Sequence, residues 1–296
     1  MNKRNYFICI GAVHSDYILR LKQDYYKNRT NPINQQKNLG GVAYNIAKIL
    51  SFLNQNTKLY SFNCNILLKR EIRQQGIKFK SLNKEVSERY YTSILDKNGK
   101  MILGLANMDN YEKIINHNFI ENYQNKKIIL DLNLSLELIK YIINKNYKNN
   151  YICVCGTSAH KVYKIKNFLN KIDTIILNKQ ECLTLTKKKT IKNSMNYFLK
   201  KNKQLNIIIT NGKNAVNAYI KQQIYVSYPP SIKTNNENGA GDVLNAIFNY
   251  FYCCSFDKLS SLNKSICAGA LQASGYMNDK EKYLQKLDKL SRSIKF

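Results

Sequence analysis

Short apolar runs alternate with longer amphipathic segments along most of this chain. The run Tyr6–Ile10 (YFICI) ends at Gly11 and reads as a buried strand. Val42, Ile46, Ile49, Leu50 and Leu53 then recur at helical spacing over 42–53. A strand over 57–62 and a helix over 66–75 follow. Further strands are predicted over 128–132, 151–155, 174–177 and 206–210. Helices are predicted over 134–144, 159–170 and 194–201, and the chain is mainly helical from Ala240 onward. Strands that are apolar throughout, separated by helices, imply an α/β fold with a mostly parallel sheet flanked by helices on both faces.

One piece departs from the alternation. Arg89–Leu95 and Lys100–Leu105 are β-rich runs joined by Asp96-Lys97-Asn98-Gly99, a hairpin signal. Val13–Leu21 is also extended-looking and alternating. Together they predict a small β lid over about 13–35 and 89–105, attached to one domain spanning 1–296. Beside strand ends such a flap suits a closing lid, and the same residues also suit a hairpin with no such role.

Composition first points elsewhere. The 296 residues carry 47 Lys+Arg against 19 Asp+Glu, a net charge of +28. The excess is spread evenly over the two halves of the chain, and only seven of the 47 are Arg, the better reader of phosphates and bases. Asn, Ile and Tyr are abundant beside Lys, and these residues share A/T-rich codons. The charge therefore reads as compositional background: non-specific attraction for polyanions, with no specific nucleic-acid partner. The eight Cys form no C-x-x-C pair and lie apart from the three His, so no zinc spacing appears. No signal-peptide pattern and no apolar stretch near ~18 residues occur, so the expected setting is reducing and cytoplasmic, without membrane association.

Candidate chemistry sits on glycines. Asn238-Gly239-Ala240-Gly241-Asp242 leads directly into an apolar helix. Small residues there let a ligand approach the backbone, and free amides with the helix dipole attract an anion. An Asp inside that helix would repel phosphate, but it suits a base taking a proton from a hydroxyl that attacks phosphate. An ordinary glycine turn with Asp242 as a cap fits the same residues equally well. Gly40-Gly41-Val42-Ala43-Tyr44-Asn45 opens a second helix, with an amide that suits a polyhydroxylated substrate or simply faces solvent. Asn178 and Glu181, spaced i and i+3 after a strand, lie on one face that could hold a hydrated Mg²⁺, although N-x-x-E alone is a very weak signal. Thr210-Asn211-Gly212 ends another strand, where open α/β sheets bind ligands. No Walker A motif and no G-x-G-x-x-G occurs.

Taken in order, these segments resemble the ribokinase (PfkB) family of carbohydrate kinases. The family's GG-x-x-x-N block reads GGVAYN at Gly40–Asn45, and its T-G-A-G-D block reads NGAGD at Asn238–Asp242. Its N-x-x-E looks like Asn178–Glu181, its T-x-G like Thr210–Gly212, and its early G-x-x-x-x-D like Gly11–Asp16. The resemblance covers nearly the whole chain and implies a ribokinase-like fold and ATP-dependent phosphorylation of an alcohol. It implies Asp242 as base, with the amides of Gly239, Ala240 and Gly241 stabilising the transferring phosphoryl group. It implies Asp16, Gly40, Gly41 and Asn45 at the substrate, Asn178, Thr210 and Gly212 at ATP, and Asn178 with Glu181 at Mg²⁺, mainly through water.

Within the family, GGVAYNIA, YYTSILDKNGKM with LANMDNYEKI, DLNLS and GTSAHKVYKIKNFL look most like pseudouridine kinases. That implies transfer to the 5′-hydroxyl of pseudouridine, with a ribose or fructose kinase as the alternative and a decayed kinase that binds nucleic acid as a remote one. The resemblance also allows a homodimer through the lid. Departures are Asn238 for Thr or Ser, Asn235-Asn236-Glu237 where an acidic residue is usual, Ala215 for Gly, and a lost G-x-D-x-x-G over Asn63–Leu68.

Overall fold

Tyr6–Ile10 (β1) is buried at four of its five positions, as a central parallel strand covered on both faces must be. The computed structural model describes residues 6–62, 66–82, 88–113, 120–232, 238–254, 257–273 and 279–294. The upstream acidic position, 235–237, and the 63–65 part of the lost motif lie outside them.

β1 pairs in parallel with β4 (Asn56–Ser61) on one side and β8 (Lys127–Asp131) on the other. From β8 the parallel sheet continues through β9 (Tyr151–Cys155), β10 (Thr174–Asn178) and β11 (Asn206–Thr210). β5 (Lys78–Ser81) closes one edge, and the antiparallel pair β12 (Val216–Ile220) and β13 (Gln223–Ser227) closes the other. The chain thus winds outward from β1 to β4 and β5, then returns to the opposite side of β1 at β8. That reversal puts a topological switch point between β1 and β8, where open α/β sheets hold ligands at the strands' carboxyl ends.

Alternate strand residues feed two cores. Phe7, Cys9 and Ile129 pack with α1 (Val42–Phe52), α2 (Ile66–Gln74), α6 (Ala240–Cys253), α7 (Lys258–Ala273) and α8 (Lys280–Ser291). Ile8, Ile10 and Leu130 pack with α3 (Leu136–Asn146), α4 (Lys179–Thr186) and α5 (Ile191–Lys201). Among the described residues no helix is long and apolar enough to cross a membrane.

A separate four-stranded sheet, ordered β3-β2-β6-β7, occupies the region where the lid is expected and is called the lid. Its strands are β2 (His14–Leu21), β3 (Ile33–Gly40), β6 (Tyr90–Leu95) and β7 (Met101–Asn107). The first lid arm therefore runs on to Gly40, beyond the boundary expected at 35. β3 reads INQQKNLG and carries almost no apolar signal, and its pairing with β2 along its whole length makes it a strand. The helix expected over 159–170 is replaced by two single 3-10 turns, Val162–Ile165 and Leu169–Lys171. Val162, Ile165 and Leu169 are buried as the period required, but Lys164 is drawn inward. Its ammonium bonds the carbonyls of Leu132 and Leu134 and the Glu112 carboxylate, and that tertiary anchoring wins over helical propensity.

A buried polar seam pins α6 to the sheet. Asn249 Oδ1 accepts from the Tyr151 hydroxyl at 2.9 Å, and its Nδ2 donates to the Asn245 carbonyl at 2.8 Å. The same Nδ2 lies 3.4 Å from Cys153 Sγ. Asn249→Ala strips these bonds from a fully buried position, so urea unfolding should show a loss of about 1–3 kcal/mol with an unchanged m-value. Unaltered stability would show that the seam contributes nothing to holding α6.

Candidate active site

Asp131, the last residue of β8, is buried, and its carboxylate gathers three backbone amides. Oδ2 accepts from Ala12 N–H at 2.8 Å and Ala43 N–H at 3.2 Å, and Oδ1 accepts from Asn133 N–H at 2.8 Å. One side chain thus ties the end of β1 and the start of α1 to the end of β8. The neighbouring glycines follow from it. A Cβ on Gly11 would lie 2.2 Å from Asp131 Cγ. At Gly41 (φ 116°), a Cβ would lie 2.3 Å from the Ala12 carbonyl oxygen. Asp131 opens the DLNLS segment and has no role assigned from the sequence, although a lone carboxylate closing the apolar run IIL is a usable signal.

The second glycine block opens α6. Gly239 caps the helix in the left-handed region (φ 78°), and a Cβ on Gly241 would meet nothing within 4 Å. The backbone face of this turn is therefore open to a ligand. The first helical amides have no intrahelical acceptor and carry the positive end of the helix dipole. Gly269 of α7 sits so close beneath that a Cβ would lie 3.1 Å from the Ala240 carbonyl.

The two blocks meet at one contact. Asn45 Nδ2, one turn into α1, donates to Asp242 Oδ2 at 2.7 Å, across 197 residues of sequence. Asn45 therefore does not simply face solvent, and Asp242 does not cap its helix: Gly239 does, without any side-chain bond. Burial pushes the Asp242 carboxyl up to about 7, the Asn45 bond pulls it down, and the charge of Asp131 pushes it further up. A carboxylate poised there can accept a proton near neutral pH, beside a turn built for an anion.

Asp16 lies in the lid on β2, opposite Asn38, with His14 Nε2 3.1 Å from its Oδ1. A Cβ on Gly40 would fall 2.3 Å from Asp16 Oδ2, so Asp16 and the first glycine block are in direct contact. Asn178, Thr210 and Gly212 come together at the ends of β10 and β11. They line a cleft of about 400 Å³ with Lys179. Gly212 (φ 57°) has open space where a Cβ would stand, so its backbone too is accessible.

Asn178 and Glu181 are already engaged with each other. Asn178 Oδ1 accepts from Glu181 N–H at 2.9 Å, and Glu181 Oε2 accepts from Asn178 N–H at 2.8 Å, a reciprocal cap on α4. Burial pushes the Glu181 carboxyl up, and the Asn178 amide pulls it back. Among the described residues no group of three or more His, Cys, Asp or Glu could hold a metal. Glu181 is buried and does not line the cleft, so the Asn178–Glu181 pair serves as a cap on α4 and forms no protein cage for a bare cation.

A family model for the pfkB family carbohydrate kinases matches residues 4–253. The pseudouridine kinase of Escherichia coli is 27% identical to this chain over 198 residues, 63% of the chain and 62% of the relative. The chain thus spans less than two thirds of that relative's length. The fold is similar to a carbohydrate kinase from Agrobacterium tumefaciens, with TM-score 0.81, 19% identity and 97% of each chain covered. It is also similar to a ribokinase from Thermotoga maritima, with TM-score 0.78, 14% identity, and 97% of this chain and 99% of that one covered.

The Asp242 environment has a cost with a definite sign. Its ordinary value is 3.8, so the folded protein binds this proton more tightly than the unfolded chain. The contribution of Asp242 to stability is therefore best at low pH, falls between about pH 4 and 7, and stays low above. Asp242→Asn should raise unfolding stability at pH 8 by a few kcal/mol, since each tenfold change in proton affinity is worth about 1.4 kcal/mol. The gain should vanish near pH 4. A variant no more stable than wild type at pH 8 would show that the carboxylate is ionised there without penalty.

Proposed function

The chain belongs to the pfkB family of carbohydrate kinases, and we propose that it transfers the γ-phosphoryl group of ATP to the 5′-hydroxyl of a nucleoside, pseudouridine. The observation that carries this reading is the 2.7 Å contact between Asn45 and Asp242. It joins the helix start suited to a sugar with the helix start suited to a phosphate. The choice of nucleoside rests on the likeness to the Escherichia coli pseudouridine kinase and on the GGVAYNIA, DLNLS and GTSAHKVYKIKNFL segments.

In this reading Asp16, Gly40, Gly41 and Asn45 hold the ribose hydroxyls. Asp242 takes the proton from the 5′-hydroxyl as its oxygen bonds to the γ-phosphorus. The bond from that phosphorus to the β–γ bridging oxygen breaks, and ADP leaves with the electron pair. The open amides of Gly239, Ala240 and Gly241 stabilise charge on the transferring oxygens. Asn178, Thr210 and Gly212 hold the nucleotide phosphates in the 400 Å³ cleft. Asn178, held by its cap with Glu181, would hold hydrated Mg²⁺ at the cleft edge, and the ion would neutralise phosphate charge. Closure of the lid excludes water that would otherwise receive the phosphoryl group.

The lid also offers a surface for a second copy. Met101, Ile102, Leu103 and Leu105 on edge strand β7 are all exposed. An unpaired apolar edge of this kind favours strand-to-strand association. Light scattering should give a dimer's mass, and Ile102→Lys should shift it toward a monomer. An unchanged mass in the variant would place any dimer interface elsewhere.

Steady-state kinetics with ATP and pseudouridine, adenosine, ribose or fructose should give the highest kcat/KM for pseudouridine. Asp242→Asn should lower kcat by ~10²–10⁴. For the free enzyme kcat/KM should rise with pH through about 7, as Asp242 loses its proton. A variant that keeps most of its activity would sink the base assignment, and a better substrate elsewhere in the panel would sink the choice of nucleoside.

A further inference from the structure

A second polar cluster lies at the base of the lid, and the reaction above leaves it unused. Asn133, two residues beyond Asp131, is partly exposed beside the switch point. Its Oδ1 accepts from Lys161 Nζ at 2.9 Å and from Arg89 Nη2 at 3.3 Å. Two cationic donors on one oxygen fix the orientation of the amide, because Nδ2 cannot accept from either. The Nδ2 group therefore turns its two N–H bonds away from them. Among the described residues nothing accepts from it.

The support for this amide is rigid. Arg89 is fully buried, with its guanidinium 4.5 Å over the Tyr111 ring, and among the described residues its Nε and Nη1 have no acceptor. Lys161 pairs with Glu112 at 3.3 Å, and Glu112 also binds the buried Lys164. The cluster abuts the segment that carries Asp16. Ser15 N–H donates to the Arg89 carbonyl at 3.1 Å, and the Tyr111 hydroxyl donates to the Val13 carbonyl at 3.2 Å.

We propose that Asn133 is a specificity-determining residue, and that its Nδ2 with Lys161 forms a donor-only subsite for a carbonyl oxygen of the substrate's base. This rests on the nucleoside-kinase reading. Arg89 and Lys161 position the amide, and Asn133 meets the ligand. A pyrimidine-dione satisfies the subsite because its carbonyls are acceptors. A base presenting an amino group there sets N–H against N–H and leaves donors unpaired on both sides. A free sugar has no group for the subsite to read.

The test is the ratio of kcat/KM for pseudouridine to kcat/KM for ribose in wild type, Asn133→Asp and Lys161→Met, with thermal unfolding as a check on folding. Asn133→Asp keeps an acceptor for Arg89 and Lys161 and removes both donors. Its ratio should fall ~10–100-fold, the scale of one lost polar contact with its partner left unpaired. Lys161→Met should lower the ratio in the same direction by less. Wild-type ratios retained in both variants would overturn the subsite while the kinase reading stands. A wild-type preference for ribose would remove the choice of nucleoside and the subsite with it. A wild type inactive on both substrates would remove the nucleoside-kinase reading and the subsite together.

Discussion

The carboxylate of Asp131 is the constraint on which the site depends. It is buried, and its charge is met by three backbone amides. One of those amides, Ala43 N–H, lies in the first turn of α1, where the helix dipole favours negative charge. Removing the carboxylate would leave the Ala12 and Ala43 amides buried without an acceptor, each a substantial penalty, and would free the partly exposed Asn133 amide. Its bulk also dictates sequence: Gly11 has no side chain because Asp131 occupies the space, and Gly41 has none because the Ala12 carbonyl is drawn in beside it. Two glycines that look like flexible punctuation are thus consequences of one packed anion.

From this anchor the geometry is transmitted along rigid elements. Fixing Ala43 fixes α1, and α1 carries Asn45 to within 2.7 Å of Asp242. Asp242 is held from its own side by α6, which Asn245 and Asn249 tie to β9 through Cys155, Cys153 and Tyr151. The Asp242 carboxyl is therefore located by two helices set independently against the same sheet. The side chain that bonds it is an amide, which stabilises the anion less than a cation would. Withdrawal from water pushes its proton affinity up toward neutrality, the Asn45 bond offsets only part of that, and the charge of Asp131 adds to it.

The sheet was legible because parallel strands buried on both faces must be apolar throughout, and β1, β8, β9, β10 and β11 are. What escaped had physical causes. β3 is polar because it belongs to an exposed lid, and the Lys-rich β5 is an edge strand. The β12–β13 hairpin turns through Lys221 and Gln222, both at positive φ, without the Asn or Gly that usually marks such a turn. The region 159–170 kept its buried positions but lost its helix to the inward bonds of Lys164. The glycine blocks were legible as helix starts, and their convergence on Asn45 and Asp242 required the resemblance and the fold. Asn178 and Glu181 carry a further lesson. A metal pair and a capping box share the same i, i+3 spacing, so the pattern alone does not separate them.

The charge of +28 leaves little imprint on the chemistry. The side chains that meet between the two glycine blocks are Asp and Asn, and the anion-facing groups there are backbone amides. Several lysines lie over tyrosine rings instead. Lys58 lies 4.7 Å from the Tyr60 ring, Lys126 4.6 Å from Tyr6 and Lys37 5.2 Å from Tyr17. Such pairs let a long cationic side chain cover aromatic surface while its head stays hydrated. The site between the glycine blocks is built from glycine geometry, the buried Asp131, the partly buried Asp242 and an amide, and draws on neither lysine nor tyrosine.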